Sequence, residues 1–143
     1  MTNPNQISLV LITKNEEANI TECLDSWGAL GPIIVIDDFS DDRTVNLAKQ
    51  MDATVITRKF DNFSAQKNFG LSCATTDWIF VLDADERLSP ELREALRTMD
   101  LNDSQTAYAV PRMNYFLGKR VKFCGWNPDF VTRLLNKKKC FFN

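Results

Sequence analysis

Four short apolar runs, each followed by a stretch with helical spacing, constrain this chain most. They are Ile7 to Ile12, Ile33 to Ile36, Ala53 to Ile56 and Trp78 to Leu82. Each is rich in β-branched or aromatic residues, and the apolar positions mostly run on rather than alternating with polar ones. Strands that read this way are covered on both faces, as in a parallel sheet flanked by helices. After the first run, Ile20, Leu24 and Trp27 recur at helical spacing. After the second, Val45, Ala48 and Met51 do so, with Asp41 and Asp42 placed to favour a helix N-terminus. After the third, Ser64 is expected to cap a helix carrying Phe69 and Cys73. After the fourth, Ser89-Pro90-Glu91 offers a cap, a first-turn proline and an acid ahead of Leu92, Leu96 and Met99. The order β-α-β-α-β-α-β-α predicts a doubly wound α/β domain with right-handed crossovers and a mostly parallel sheet.

The pattern changes after about residue 104. Tyr108 to Pro111, Tyr115 to Leu117, Val121 to Phe123 and Phe130 to Leu135 read as short strands, with turns at Gly118 and Gly125. They are expected to form a short antiparallel extension of the same domain. The 143 residues thus make one domain, of which 1–104 is the βαβ part. A chain of this length can bury a core without covalent staples.

Several chemistries are excluded by what is missing. With no histidine, the chain cannot build a Ser-His-Asp triad, a Cys-His pair or a His-ligated metal site from its own residues. Cys23, Cys73, Cys124 and Cys140 form no C-x-x-C pair, so reduced, packed thiols and a cytoplasmic chain are expected. The net charge of −2 gives no electrostatic case for nucleic acid. The run Lys137-Lys138-Lys139 reads as a solvated face. Residues 1–6 lack the features of a signal peptide, and no apolar stretch is long enough to span a bilayer.

Carboxylate, hydroxyl, lysine and arginine chemistry remains, and it gathers at one place. In an open α/β sheet, ligands bind beyond the carboxyl ends of the strands. Here those ends run into Thr13-Lys14-Asn15-Glu16, Asp37-Asp38, Arg58-Lys59 and Asp83-Ala84-Asp85-Glu86. Asp83 and Asp85, two apart on an extended exit, point the same way and repel unless a cation or proton lies between them. Mg2+ or Mn2+ suits such a pair, since these ions take carboxylate oxygens, keep waters and use substrate phosphates as further ligands. The alternative is that Asp85 or Glu86 only begins a turn before Ser89. Asp38 is placed to accept from a pyrimidine N3–H or a ribose hydroxyl, whereas Asp41 and Asp42 go to the helix start. Lys67 lies in a helix first turn, where the dipole disfavours it. It makes sense facing a diphosphate or the acidic rim, with a plain surface lysine as the equal alternative.

These residues resemble a known family. Ile7-Ser-Leu-Val-Leu-Ile-Thr-Lys-Asn-Glu-Glu17, Val35-Ile-Asp-Asp-Phe-Ser-Asp-Asp-Arg-Thr44 and Trp78-Ile-Phe-Val-Leu-Asp-Ala-Asp-Glu86 resemble the family 2 glycosyltransferases, which have the Rossmann-like GT-A fold. Phe63-Ser-Ala-Gln-Lys-Asn68, Gly125-Trp-Asn-Pro-Asp129 and Arg133-Leu-Leu135 resemble the branch that includes lipopolysaccharide-core glucosyltransferases. The resemblance covers nearly the whole chain. It implies an inverting, metal-dependent transfer of a sugar from a nucleotide-diphospho-sugar, with a UDP-sugar favoured. The implied acceptor is a glycan or lipid-linked sugar of the cell envelope. Thr13, Asn15 and Asp38 would hold the base or ribose, with Glu16 and Lys67 joining the donor-binding set from their rim positions. Asp83 would lie near ribose and metal, Asp85 would be the direct metal ligand, and Gly125 to Arg133 would face the acceptor.

The family's catalytic carboxylate is implied to lie beyond Cys140-Phe-Phe-Asn143. These residues are therefore expected to bind donor but to transfer poorly, short of a base by roughly two to four orders of magnitude in rate. In a longer protein, Lys137 to Phe142 could touch the inner face of a membrane; a packed strand is the favoured reading. Two other functions compete. A receiver-type phosphoacceptor domain would use Asp83, but a full strand and helix precede the acidic pair. A nucleotidyltransferase would need a glycine-rich loop where Thr13-Lys-Asn-Glu-Glu17 has none. A donor-binding remnant without catalysis is the third alternative.

Overall fold

The computed structural model describes residues 7–101, 107–112, 115–116, 119–120 and 129–143. The first four strands and helices alternate as expected: β1 (Ile7–Thr13), α1 (Ile20–Trp27), β2 (Ile33–Asp37), α2 (Thr44–Gln50), β3 (Thr54–Thr57), α3 (Phe63–Cys73), β4 (Trp78–Val81) and α4 (Pro90–Thr98). There follow β5 (Ala107–Arg112), β6 (Tyr115–Phe116), β7 (Lys119–Arg120) and β8 (Asp129–Asn136). Val121 to Phe123, Gly118 and Gly125 lie outside the described residues.

The main sheet has the order β3-β2-β1-β4-β8-β5. β1, β2, β3 and β4 are parallel neighbours, with Thr13 level with Asp37 and Asp37 level with Thr57. The chain winds outward from β1 through β2 to β3, then returns to the other side of β1 for β4. This reversal leaves a crevice beyond the carboxyl ends of β1 and β4, where open sheets take their ligands. β8 enters antiparallel beside β4, with Ile79 opposite Leu135 and Phe80 opposite Leu134, and β5 completes the edge. Of the antiparallel extension, β8 and β5 are thus part of the central sheet, whereas β6 and β7 pair with each other in a separate two-stranded sheet.

Strand parity assigns each side chain to one of two cores. Leu9, Leu11, Val35, Trp78 and Phe80 face the layer that holds Ile20, Leu24 and Trp27 of α1, Ala48 of α2 and Leu96 of α4. Val10, Ile34, Ile36, Ile79 and Val81 face α3 through Leu71. Trp27 is fully buried, donates its indole N–H to the Gly31 carbonyl at 3.0 Å and packs 5.9 Å from Phe80. On α2 the inward residues are Thr44, Leu47, Ala48 and Met51, while Val45 stays outside the core cluster.

The helix starts follow local hydrogen bonding. Ser89 Oγ accepts from the Leu92 amide at 3.1 Å and Pro90 fills the first turn, as expected. α3 differs from expectation: its cap is Asn62, whose Oδ1 accepts from the Ala65 amide at 2.8 Å, and Ser64 lies inside the helix. Asn62 has the extended backbone that a cap requires, so the helix begins one residue before Ser64. Asp42 serves the start of α2, accepting from the Thr44 amide at 2.8 Å and hydroxyl at 2.5 Å. Desolvation pushes its carboxyl pKa up, but the hydrogen bonds from Thr44 and Glu17 outweigh this and leave it below the ordinary value. The Asp41 amide donates to Asn15 Oδ1 at 3.0 Å.

Candidate functional site

The exits of β1 and β2 are hydrogen-bonded side by side. The Asn15 amide donates to Ser40 Oγ at 2.8 Å, and the Asp41 amide returns to Asn15 Oδ1 at 3.0 Å. The Glu16 amide donates to Thr44 Oγ1 at 2.7 Å, and Lys14 Nζ donates to the Phe39 carbonyl at 3.0 Å. Asn15 and Phe39 both sit at positive φ, 52° and 49°. Asparagine tolerates this region; for a bulky phenylalanine, 61% exposed, it is an unusual conformation.

The adjacent carboxylates Asp37 and Asp38 do different work. Asp37 is buried and saturated, accepting from Thr13 Oγ1 at 2.6 Å, Ser40 Oγ at 2.7 Å and the Ser40 amide at 2.8 Å. Asp38 is half-buried and accepts only from the Phe60 amide, at 3.1 Å through Oδ1, so Oδ2 has no hydrogen bond among the described residues. The structure thus leaves Asp38 the available carboxylate. Thr13 is buried with its hydroxyl given to Asp37, and Glu16 is hydrogen-bonded to Asn19 Nδ2 at 3.2 Å. Both line the β1 exit but are committed within it.

The loop after β4 is held from several directions. Asp83 and Glu86 clasp each other: the Asp83 amide donates to Glu86 Oε1 at 2.9 Å, and the Glu86 amide to the Asp83 carbonyl at 2.9 Å. Arg87 Nη1 donates to the carbonyls of Ala84 and Glu86 at 3.1 and 3.0 Å. Beneath, Ala84 is buried and Cys23 Sγ lies 3.6 Å from the Asp83 carbonyl. Burial, aided by the charges of Glu86, Asp83 and Asp85 and opposed by Arg87, pushes the Cys23 thiol up to about 12. Cys23 and Cys73 are free thiols among the described residues. Asp85 is exposed and makes no hydrogen bond or ion pair among the described residues.

Arg133 is expected from the sequence on the acceptor side, not in the donor set. It reaches this loop from β8, with Nη2 2.9 Å from Glu86 Oε2 and 3.5 Å from Asp83 Oδ2. It is buried, in a strand that continues Leu134-Leu135. A charged side chain amid a buried apolar strand is the one signal that could have pointed to a partner; the partner's identity depends on the β4–β8 pairing.

At the β3 exit, Arg58 Nη1 donates to Gln66 Oε1 at 2.6 Å and to Asp61 Oδ1 at 3.1 Å. Gln66 Nε2 returns to the Arg58 carbonyl at 2.9 Å. The ammonium of Lys67, for which two readings were open, lies 5.2 Å from the Phe142 ring centre, in a cation–π contact. Among the described residues it makes no ion pair. Asn68 fixes that tail through both its amide and its carbonyl, to the Phe142 carbonyl and amide at 2.7 Å each. Residues 125–128 of the expected acceptor side lie outside the described residues.

Among the described residues, no group of three or more His, Cys, Asp or Glu side chains is arranged to hold a metal. Asp85 with the unshared oxygen of Asp83 nonetheless fits a hard divalent cation that draws its other ligands from water and a diphosphate. The donors are carboxylate oxygens, and Asp85 is uncommitted.

Comparison with known proteins agrees with this architecture. The model of the family described as "Glycosyl transferase family 2" matches residues 8–139. An uncharacterized glycosyltransferase of Rickettsia prowazekii is 36% identical, over 96% of this chain and 48% of its own length. The lipopolysaccharide core biosynthesis glycosyltransferase LpsC of Rhizobium meliloti is 30% identical over 91% of this chain and 48% of its own. The chain spans about half the length of the curated relatives it matches. A mannosyltransferase from Pyrobaculum calidifontis, solved with GDP-Man and Mn2+, superposes with a TM-score of 0.62 at 20% identity, covering 77% of this chain and 38% of its own. Other solved structures of similar fold hold UDP with Mn2+ or UDP-GlcNAc. The fold is that of the GT-A glycosyltransferases, Rossmann-like with a mostly parallel sheet.

Proposed function

The chain belongs to glycosyl transferase family 2, and from that premise we propose that its carboxyl-end rim binds a nucleotide-diphospho-sugar with a divalent cation, for inverting transfer of the sugar. Membership in this family sets aside the receiver-type and nucleotidyltransferase readings. The observation that carries the proposal is the contrast between committed and uncommitted carboxylates. Asp37, Asp42 and Glu86 are spent on the fold, whereas Asp85 and one oxygen each of Asp38 and Asp83 are not.

Each available group has a task that matches its chemistry. Asp38 accepts from the base N3–H or a ribose hydroxyl, with Asn15 Nδ2, which has no hydrogen bond among the described residues, on the same rim. Asp83 lies on the ribose side, and Asp85 ligates Mg2+ or Mn2+. When bound, the cation neutralises the diphosphate as it departs. Thr13 and Glu16 contribute by holding the β1 exit in shape. The sugar's anomeric carbon passes through an oxocarbenium-like state, as in glycoside hydrolysis. Uridine is the proposed base, in line with the resemblance and with the UDP complexes of similar fold. The proposed acceptor is a glycan or lipid-linked sugar of the cell envelope, as the name of the LpsC relative suggests. The proposed location is cytoplasmic, at the inner face of the membrane; no helix among the described residues is long and apolar enough to cross one.

Calorimetric titration of UDP and GDP tests the site, with Mn2+ and then with chelator. UDP is expected to bind only with Mn2+, and Asp85→Ala to abolish that binding without lowering the melting temperature. Equal UDP binding in chelator, or an unaffected Asp85→Ala variant, would refute the metal-site assignment.

A further inference from the structure

We propose that Arg133 and Glu86 are positioning residues for the metal loop, which decide which carboxylates of Asp83-Ala84-Asp85-Glu86 are left for the cation. The proposal rests on the donor-site reading above and goes beyond it, because neither residue need touch metal or nucleotide.

Three carboxylates within four residues are a poor design for a site that must hold one cation in one place. Unrestrained, Glu86 could compete with Asp83 and Asp85 for the metal and drag the loop out of register. The structure removes it from competition. Glu86 Oε1 accepts from the Asp83 amide at 2.9 Å and Oε2 from Arg133 Nη2 at 2.9 Å, so both oxygens are occupied. Its side chain is only 20% exposed, and that of Arg133 only 10%. Such a pair is costly to split, since either charge left alone would be poorly solvated. Arg133 Nη2 also lies 3.5 Å from Asp83 Oδ2, which biases that oxygen away from the cation and leaves Oδ1. Asp85, exposed, has no partner among the described residues, so both of its oxygens are available with respect to them.

Among the described residues, Arg87 is also near the loop and does not do this. Arg87 gives Nη1 to loop carbonyls and pairs with Glu22 at 3.4 Å, touching none of the three carboxylates. Arg133 is thus the cation that sorts them, and it comes from β8, a strand 47 residues further along the chain than Glu86. The antiparallel part of the sheet thereby sets the geometry of a loop on the parallel part.

Positioning and mere structural support predict different binding patterns. Arg133→Met removes a positive charge and frees Glu86, so Mn2+ alone should bind as tightly as before or tighter. UDP binding in the presence of Mn2+ should weaken about ten- to hundredfold, the usual cost of losing a partner behind a metal ligand. The double variant Arg133→Met with Glu86→Gln restores the net charge and keeps an acceptor for the Asp83 amide; it should recover most of the UDP affinity. Arg133→Lys, with its charge kept, should fold even where Arg133→Met does not, and should bind UDP with intermediate affinity.

Mn2+ binding is read by electron paramagnetic resonance, and UDP binding by calorimetry. Unchanged Mn2+-dependent UDP binding in Arg133→Met, or in Arg133→Lys if the former fails to fold, would overturn the proposal. So would parallel losses of Mn2+, UDP and melting temperature that the double variant fails to recover. If the unaltered chain binds no UDP with Mn2+, the donor-site reading itself falls. A normal chain with an indifferent Arg133 sinks only the present inference.

Discussion

Neighbouring residues of the same type are given opposite tasks here, and the difference can be measured. Asp37→Ala would leave the Thr13 and Ser40 donors without their shared acceptor, so a loss of about 2–3 kcal/mol of stability is expected in urea unfolding. Asp38→Ala breaks a single hydrogen bond, to the Phe60 amide, and should cost roughly 1 kcal/mol or less. Its larger effect should be on UDP affinity. Equal stability losses in the two variants would contradict the division of labour. Cys23 carries a pH signature. With its folded pKa raised from 9.0 to about 12 by burial, its contribution to stability is full below pH 9 and is lost as pH rises from there towards 12. Urea midpoints of the parent should therefore fall more steeply above pH 9 than those of Cys23→Ala, and equal slopes would contradict the burial of that thiol. At this scale the rim was legible in the sequence because all four strands run into polar residues at their exits. The pairing of Arg133 with Glu86 was not, since it depends on two strands meeting across the sheet.

Among the elements, α3 lies close against β1 and β2 at Gly70. A methyl group on Gly70 would lie 2.5 Å from Val10 Cγ1 and 3.3 Å from Ile36 Cγ1. Gly70→Ala is thus expected to destabilise by roughly 1–3 kcal/mol, although alanine is the better helix former. Adding Val10→Ala should recover part of the loss, and a stabilised Gly70→Ala would contradict the close approach of α3 to β1. The helices and parallel strands were readable from periodicity, because each buries a continuous face and the pattern is local. Where the caps fall was less readable. Asn62 and Ser64 are both competent caps, and the choice depends on which residue has the extended backbone as the chain leaves the Arg58–Gln66 clamp. The choice between the two readings of Lys67 was not readable for a similar reason: its neighbour Phe142 is brought to it by the tail that Asn68 fastens.

In the central sheet, the antiparallel strands β8 and β5 belong to the same cores as the parallel ones. Leu134 joins the core with Trp27 and Phe80, Leu135 joins that of α3, and both sit on β8 against β4. We propose that residues 1–104 alone are not an independent unit. Cutting there would turn β4 from an interior strand into an open edge and uncover both cores. That fragment should lack a cooperative thermal transition, and a sharp transition like the parent's would contradict the single-domain reading. The sequence pattern made the α/β class and the antiparallel extension visible, but not where the extension docks, because β8 carries no local mark of its neighbour. The central claim is that nucleotide and cation meet at the exits of β1, β2 and β4. An amide-resolved NMR titration with UDP and substoichiometric Mn2+ tests it most directly, because the paramagnetic ion broadens the signals nearest to it. The signals of residues 83–87 should vanish first, followed by those of 13–16 and 38–41, and chelator should restore them. Broadening centred elsewhere, or spread evenly over the acidic surface, would contradict the claim.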